Sequence, residues 1–228
     1  DVFFVMGDKF ANLPMLVANE RIRKSRPAKK TTPTAQYILL YHLQVERLEG
    51  LSAREMSNKL PYSYESITLG LTCLSDLELC QKVSDGAKSK IIHFTAKGKE
   101  LWDKAKDFLI DPVEKRIYCD SLATEQKLAQ CNINALAHYT WLNPDNSQMY
   151  MTSKKELQIL IAEKALHNMN VFDGDVMIEA WKYPIVSHKD NNNEWVDKLS
   201  LAISLREDDD PRVEGEVERL INEIEWKD

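Results

Sequence analysis

Between Ser63 and Thr72 the chain carries short polar side chains at helical spacing. With Ile67 and Leu71 turned inward, Tyr64, Glu65, Thr68, Leu69 and Thr72 fall on the opposite side of the same helix. Hydroxyls of Ser63, Tyr64, Thr68 and Thr72 are suited to phosphate oxygens, a threonine methyl can rest on the methyl of thymine, and Glu65 can accept from cytosine. No arginine or lysine occurs from Pro61 to Gln81, although arginine paired with guanine is the commonest base-specific contact. Positive charge lies on either side instead. Lys82, Lys88 and Lys90 flank a glycine-containing stretch, and Arg21, Arg23, Lys24, Arg26, Lys29 and Lys30 crowd the segment from Glu20 to Lys30. Such cations suit phosphates, which fix position without reading sequence; the same run also suits a solvated linker.

Other chemistry fares less well. Asp173-Gly-Asp175 followed by Glu179 and Lys182 holds the residue types of a metal-dependent nuclease. In a strand, however, residues three apart point to opposite faces, so Glu179 and Lys182 cannot converge on one metal. Glu179 is expected to face solvent or to be paired. The five histidines form no His-x-x-x-His pair, and no nucleophile elbow, P-loop or dinucleotide fingerprint occurs. Cys73, Cys80, Cys119 and Cys131 form no C-x-x-C pair and read as reduced, mostly buried thiols. Tyr139, Trp141, Tyr150, Trp181 and Tyr183 read as core in preference to the wall of a small-molecule pocket. The expectation is a protein that is not an enzyme and uses no cofactor or metal.

The elements that position the polar row are readable. A first helix from Thr34 to Arg47 carries Ile38, Leu39, Tyr41, Leu43 and Val45, apolar over so much of its circumference that it must be covered on several sides. Ser52-Ala-Arg-Glu55 is a capping box that starts a second helix with Ala53, Met56 and Leu60 inward. Pro61 ends it, Ser63 caps the third, and Ile67, Leu71, Leu74 and Leu77 mark the buried face of that third helix. After Leu79 the period becomes two: Cys80 to Val83, a turn at Ser84-Asp85-Gly86-Ala87, then Lys88 to Phe94, a β-hairpin. A closing helix is expected from Thr95, with Leu101, Trp102, Ala105, Phe108 and Leu109 on one face, stopped by Asp111-Pro112. Three helices, a hairpin and a helix are the elements of a winged helix-turn-helix.

Beyond Pro112 strands alternate with helices. Arg116–Cys119, Ser147–Met151 and Asp175–Trp181 are strand-like, and a second capping box, Ser153 to Glu156, starts a helix bearing Leu157, Leu160, Ile161 and Ala165. Leu199 to Leu205 is readable as strand or helix; Asp197, as a cap, favours helix. Asp210, Pro211 and the stripe Val213, Val217, Leu220, Ile221 and Ile224 define a final helix. The expected class is α+β in three parts: residues 1–32, strands Phe3–Met6 and Leu13–Val17 left from an upstream domain plus the basic linker; residues 33–112, the winged helix; and residues 113–228, a small α/β domain.

At 228 residues with a net charge of −6 the chain holds two modest cores. The charge is unevenly spread: from Arg206 to Asp228 there are ten acidic and four basic residues, and the remainder is neutral. With neither a signal sequence nor an apolar run of membrane-spanning length, a cytoplasmic location without membrane contact is expected.

The helix-and-hairpin segment resembles MarR-like transcriptional regulators through Leu51-Ser-Ala-Arg-Glu-Met, Leu74-Ser-Asp-Leu-Glu-Leu and Phe94-Thr-Ala-Lys-Gly-Lys-Glu-Leu-Trp102. Nearly the whole chain is similar to bacterial proteins of that kind in which a winged helix precedes an α/β domain. Met151-Thr-Ser-Lys-Lys-Glu-Leu157, Val196-Asp-Lys-Leu-Ser-Leu201 and Asp208-Asp-Asp-Pro-Arg-Val213 carry that likeness. The resemblance implies a bacterial cytoplasmic regulator that binds double-stranded DNA, with a homodimer as the usual form. A similar layout occurs in antitoxins of abortive-infection systems, which leaves a protein-interaction module, gripping a basic partner through the acidic last helix, as the competing expectation.

Overall fold

The computed structural model describes residues 3–6, 9–12, 29–84, 90–188 and 193–227. Strands β1 (Phe3–Met6) and β2 (Lys9–Asn12) pair antiparallel. The expected strand at Leu13–Val17 lies outside the described residues.

Helix α1 (Pro33–Gln44) starts at Thr32, whose side chain accepts from the Ala35 N–H, with Pro33 where no helical donor is needed. It stops short of the expected Arg47 because the N–H groups of Val45 and Glu46 both turn to the Tyr41 carbonyl. Nine of its twelve residues are buried, as its all-round apolar character requires. Helix α2 (Ala53–Lys59) has the full Ser52–Glu55 capping box, and α3 (Tyr64–Asp76) is capped by Ser63. Gly70 lets α3 lie close on α1: a Cβ there would stand 2.9 Å from Ile38 Cδ1 and 3.2 Å from the Ala35 nitrogen.

Helix α3 ends with Glu78 at φ 60°, the Glu78 N–H on the Ser75 carbonyl and the Leu79 N–H on the Leu74 carbonyl. This is a Schellman finish with glutamate in the usual glycine position. It turns the chain into β3 (Cys80–Ser84), which pairs antiparallel with β4 (Lys90–Phe94). Residues 50–52 run along β4 through Gly50 N–H to Ile92 O and Ile92 N–H to Leu51 O. Helix α4 (Gly98–Ala105) and a 3-10 turn (Lys106–Phe108) follow. The expected start at Thr95 is corrected: the Thr95 hydroxyl donates to the Glu78 carbonyl, and the helix begins after Lys97 without a side-chain cap.

The second half is built on a sheet in the order β5 (Val113–Cys119), β10 (Val176–Trp181), β8 (Gln148–Ser153), β7 (Ala129–Gln130). β8 and β10 are parallel and joined through α6 (Lys154–Ala162), the expected strand-helix-strand unit; β5 is antiparallel to β10. The short strands β6 (Ser121–Leu122) and β9 (Leu166–His167) pair beside it. All six residues of β10 are buried. Val176, Ile178 and Ala180 face α6, while Met177 and Trp181 face α5 (Asn132–Tyr139), α7 (Lys198–Ser204) and α8 (Pro211–Asn222). Asp197 caps α7 through the Ser200 N–H, which settles the ambiguous segment as helix. Ile161, expected on the buried face of α6, is exposed, the buried residues of the helix being Leu157 and Leu160; Ala165, expected on the same helix, is buried beyond its end at Ala162.

Fold class is α+β, as expected. The two halves share a core: Tyr183, Val186, Leu199, Ile203 and Ile224 are packed among the residues of α1 to α4. Gln36 of α1 is the polar hub of that junction. Its amide donates to the Ile110 carbonyl at 2.8 Å and to the Tyr183 hydroxyl at 2.9 Å, and its carbonyl accepts from the Ile110 N–H at 2.8 Å. Tyr183 in turn donates to Ser200, and Gln44 donates to Asp197. Among the described residues, no helix is long and apolar enough to cross a membrane.

Candidate nucleic-acid interface

The polar row of α3 stands outside the core. Ile67, Gly70, Leu71 and Leu74 are buried, while Ser63, Tyr64 and Thr72 are exposed and Thr68 is half-buried. Leu69, at 71% exposure, shares this outer face with Tyr64, at 50%. Ser63 Oγ accepts from the Ser66 N–H and so organises the first turn. Glu65 accepts from its own N–H and from Ser63, which hold its carboxyl below the ordinary glutamate value.

A chain of hydrogen bonds runs down this face. Thr68 Oγ1 donates to the Tyr64 carbonyl and Thr72 Oγ1 to the Thr68 carbonyl, each at 2.8 Å. Lys82 Nζ, reaching from β3, donates to Thr72 Oγ1 at 2.7 Å. Both threonine protons are therefore directed into the helix and Thr72 Oγ1 is taken by Lys82, so the expectation that these two hydroxyls donate to phosphate oxygens is corrected. The cation of this face comes from the hairpin and is fixed to α3 by Thr72. Sequence patterning placed Lys82 in the hairpin without this link, because a contact between residues ten apart on different elements leaves no periodic signal.

The hairpin is anchored by Glu49, whose carboxylate meets His93 Nδ1 at 2.6 Å and accepts from the Phe94 N–H at 3.0 Å. Lys90 is exposed on β4. Lys88, Arg23, Lys24 and Arg26 lie outside the described residues. Lys29 and Lys30 are drawn elsewhere: Lys29 Nζ donates to the Asp76 carbonyl at the end of α3, and Lys30 Nζ to the Asp107 carbonyl. Tyr64 and Asp76 are the two ends of α3, which puts Lys29 about 18 Å along the helix from the Tyr64 end. Of the described part of the basic lead-in, Lys29 thus meets the C-terminal end of α3, where helix carbonyls attract cations, and Lys30 the turn after α4.

The remaining candidates resolve by burial. Glu179 is paired and 0% exposed: Arg116 Nε and Asn132 Nδ2 donate to its Oε1 and Trp181 Nε1 to its Oε2, each at 2.9 Å. Among the described residues, no group of three His, Cys, Asp or Glu side chains is placed to hold a metal ion. Trp181 and Tyr183 are core, but Trp141 is 80% exposed, against expectation, and sits under the guanidinium of Arg219. It lies in the loop between α5 and β8. Cys80, Cys119 and Cys131 are buried and Cys73 is half-buried; burial pushes the Cys80 thiol up to about 11.

Compared with known proteins, the chain matches no protein-family model, no curated protein and no solved structure.

Proposed function

We propose that residues 33–112 form a winged helix-turn-helix that binds double-stranded DNA, as in MarR-like regulators, with α3 as the helix facing the groove and β3–β4 as the wing. The observation that carries this reading is the outward row Tyr64, Thr68, Thr72, joined by the Lys82–Thr72 hydrogen bond to the hairpin at its side. Helix and hairpin would then meet the duplex as one surface. Lys82 and Lys90 supply phosphate contacts, and the methyls of Thr68 and Thr72 supply apolar contact to thymine. With no arginine on α3, backbone contacts dominate and sequence discrimination is modest.

Fluorescence anisotropy with a labelled duplex at several salt concentrations tests this. Lys82→Ala and Lys90→Ala should each weaken binding across unrelated sequences and reduce the salt dependence by roughly one phosphate. Absence of salt-dependent binding by the parent chain would remove the proposal.

The acidic α8 supports a second reading, contact with a basic protein partner. Its apolar residues Val213, Val217 and Leu220 are buried on the side packed against α5 and α7, leaving Glu214 and Glu218 exposed, with Glu223, paired with Arg219, just past its end. Binding that resists salt and depends on those three glutamates would favour it over DNA.

A further inference from the structure

A cavity of about 440 Å³ opens between the sheet and the C-terminal end of α7. Tyr118, Met149, Met177 and Leu205 form an apolar part of its wall, and Arg116 and Arg206 bring positive charge to it. Its size falls in the range of sites for small organic molecules, roughly 300–1,000 Å³.

The sheet register fixes the key group. Arg116 and Glu179 are direct cross-strand neighbours on β5 and β10. Glu179 has no exposed side-chain surface, and Asn132 and Trp181 hold it in place, so it grips Arg116 through Nε alone. The two terminal nitrogens of Arg116 have no hydrogen-bond partner among the described residues, and the side chain, 41% exposed, lines the cavity. A guanidinium anchored by Nε presents its terminal fork in one orientation, the shape that matches two oxygens of a carboxylate or phosphate. Arg206, held by the Leu109 carbonyl at 3.0 Å, adds a second cation. Three acids share the wall. Asp111 accepts from the Val113 N–H and lies near enough to Arg116 to favour its charge, Asp208 accepts from the Asp210 N–H, and Glu207, 86% exposed, pairs with Arg206 at 3.6 Å.

We propose that this cavity binds a small organic anion, an apolar body ending in a carboxylate or phosphate whose oxygens meet the Arg116 fork. The site is independent of the DNA reading and survives if that reading fails.

Titration of the full chain with phenylacetate and with phenyl phosphate, followed by amide NMR shifts, tests it. Saturable shifts at Tyr118, Asn132 and Met177 are expected, and the tighter probe identifies the anion. Arg116→Gln should weaken binding by roughly tenfold or more. Because that change also strips Glu179 of its cation, Ser147→Leu provides an independent check. It adds bulk at the cavity wall, leaves the Arg116–Glu179 pair intact, and should weaken binding to a similar degree. Lys90→Ala should leave the titration unchanged. Two results overturn the proposal: no saturable shift with either probe, or titration of both cavity variants like the parent.

Discussion

Glu179 and the Thr68–Thr72 row are both polar features inside regular elements, and the fold treats them in opposite ways. Glu179 is enclosed on the central strand and meets three donors on three different elements. The threonines stand on the outside of α3 and satisfy themselves locally, four residues back along their own helix. A carboxylate taken out of water must be fully partnered or it destabilises the fold, so its neighbours come from wherever the chain can supply them. A surface hydroxyl carries no such demand. The inner group therefore reports on how the second half is held together, and the outer row on what the first half offers to a partner.

The strongest way to break this contrast is Glu179→Ala. It leaves the Asn132 amide and the Trp181 indole without their acceptor and Arg116, itself 41% exposed, without its partner, and a loss of about 2–4 kcal/mol is expected from chemical denaturation. Glu179→Gln keeps one carbonyl acceptor and should cost less. Thr68→Ala on the outer row should stay within about 0.5 kcal/mol. If Glu179→Ala were as mild as Thr68→Ala, the enclosure of the carboxylate would be wrong.

His42 extends the contrast to pH. It is buried in α1, stacked on Phe94 of the hairpin at 3.8 Å between ring centres, and its Nδ1 accepts from the Leu48 N–H at 2.9 Å. Burial pulls it down to about 4, from 6.5 when exposed. Between those values the unfolded chain holds a proton that the folded chain lacks, so stability falls as pH drops from about 6.5 toward 4. The slope is about 1.4 kcal/mol per pH unit and the whole effect about 3 kcal/mol. Denaturation midpoints measured across this window should decline in the parent, and His42→Gln should flatten that part of the curve. A parent curve flat from pH 6.5 to 4 would contradict the burial.

These groups differ in how far sequence reveals them. Capping boxes at Ser52 and Ser153, the Asp210-Pro211 start and the apolar stripes of α3 and α8 are local patterns, and each appears as read. Glu179 could be placed on a strand, and its separation from Lys182 argued against a metal site. Its three partners are 63, 47 and 2 residues away, and only the last is local. The Lys82–Thr72 link and the exposure of Trp141 likewise depend on how elements meet. Thr95 misled because a threonine before a helical stretch reads as a cap, whereas its hydroxyl is taken by the Glu78 carbonyl. That carbonyl is presented by a left-handed glutamate no pattern announced.

A smaller effect sharpens the outer side. Ser63→Ala removes the acceptor of the Ser66 N–H and should cost about 1 kcal/mol. The loss should appear as faster amide exchange in the first turn of α3, the turn that carries Tyr64. Loss of protection in α7 instead would mean that the cap acts through the shared core.

The smallest expected change is the most direct probe of the outer row. Thr72→Val keeps the shape and the outward methyl but removes both the hydrogen bond into α3 and the acceptor of Lys82. Since the site is exposed, stability should move by no more than about 0.5 kcal/mol. If Lys82 meets a phosphate, the freed ammonium can still reach it. Affinity for a duplex should then drop less than for Lys82→Ala, with the salt dependence nearly that of the parent. Equal losses in Thr72→Val and Lys82→Ala would show that the tether positions the charge, making helix and hairpin a single rigid surface. No loss in either would place the contact elsewhere on the molecule.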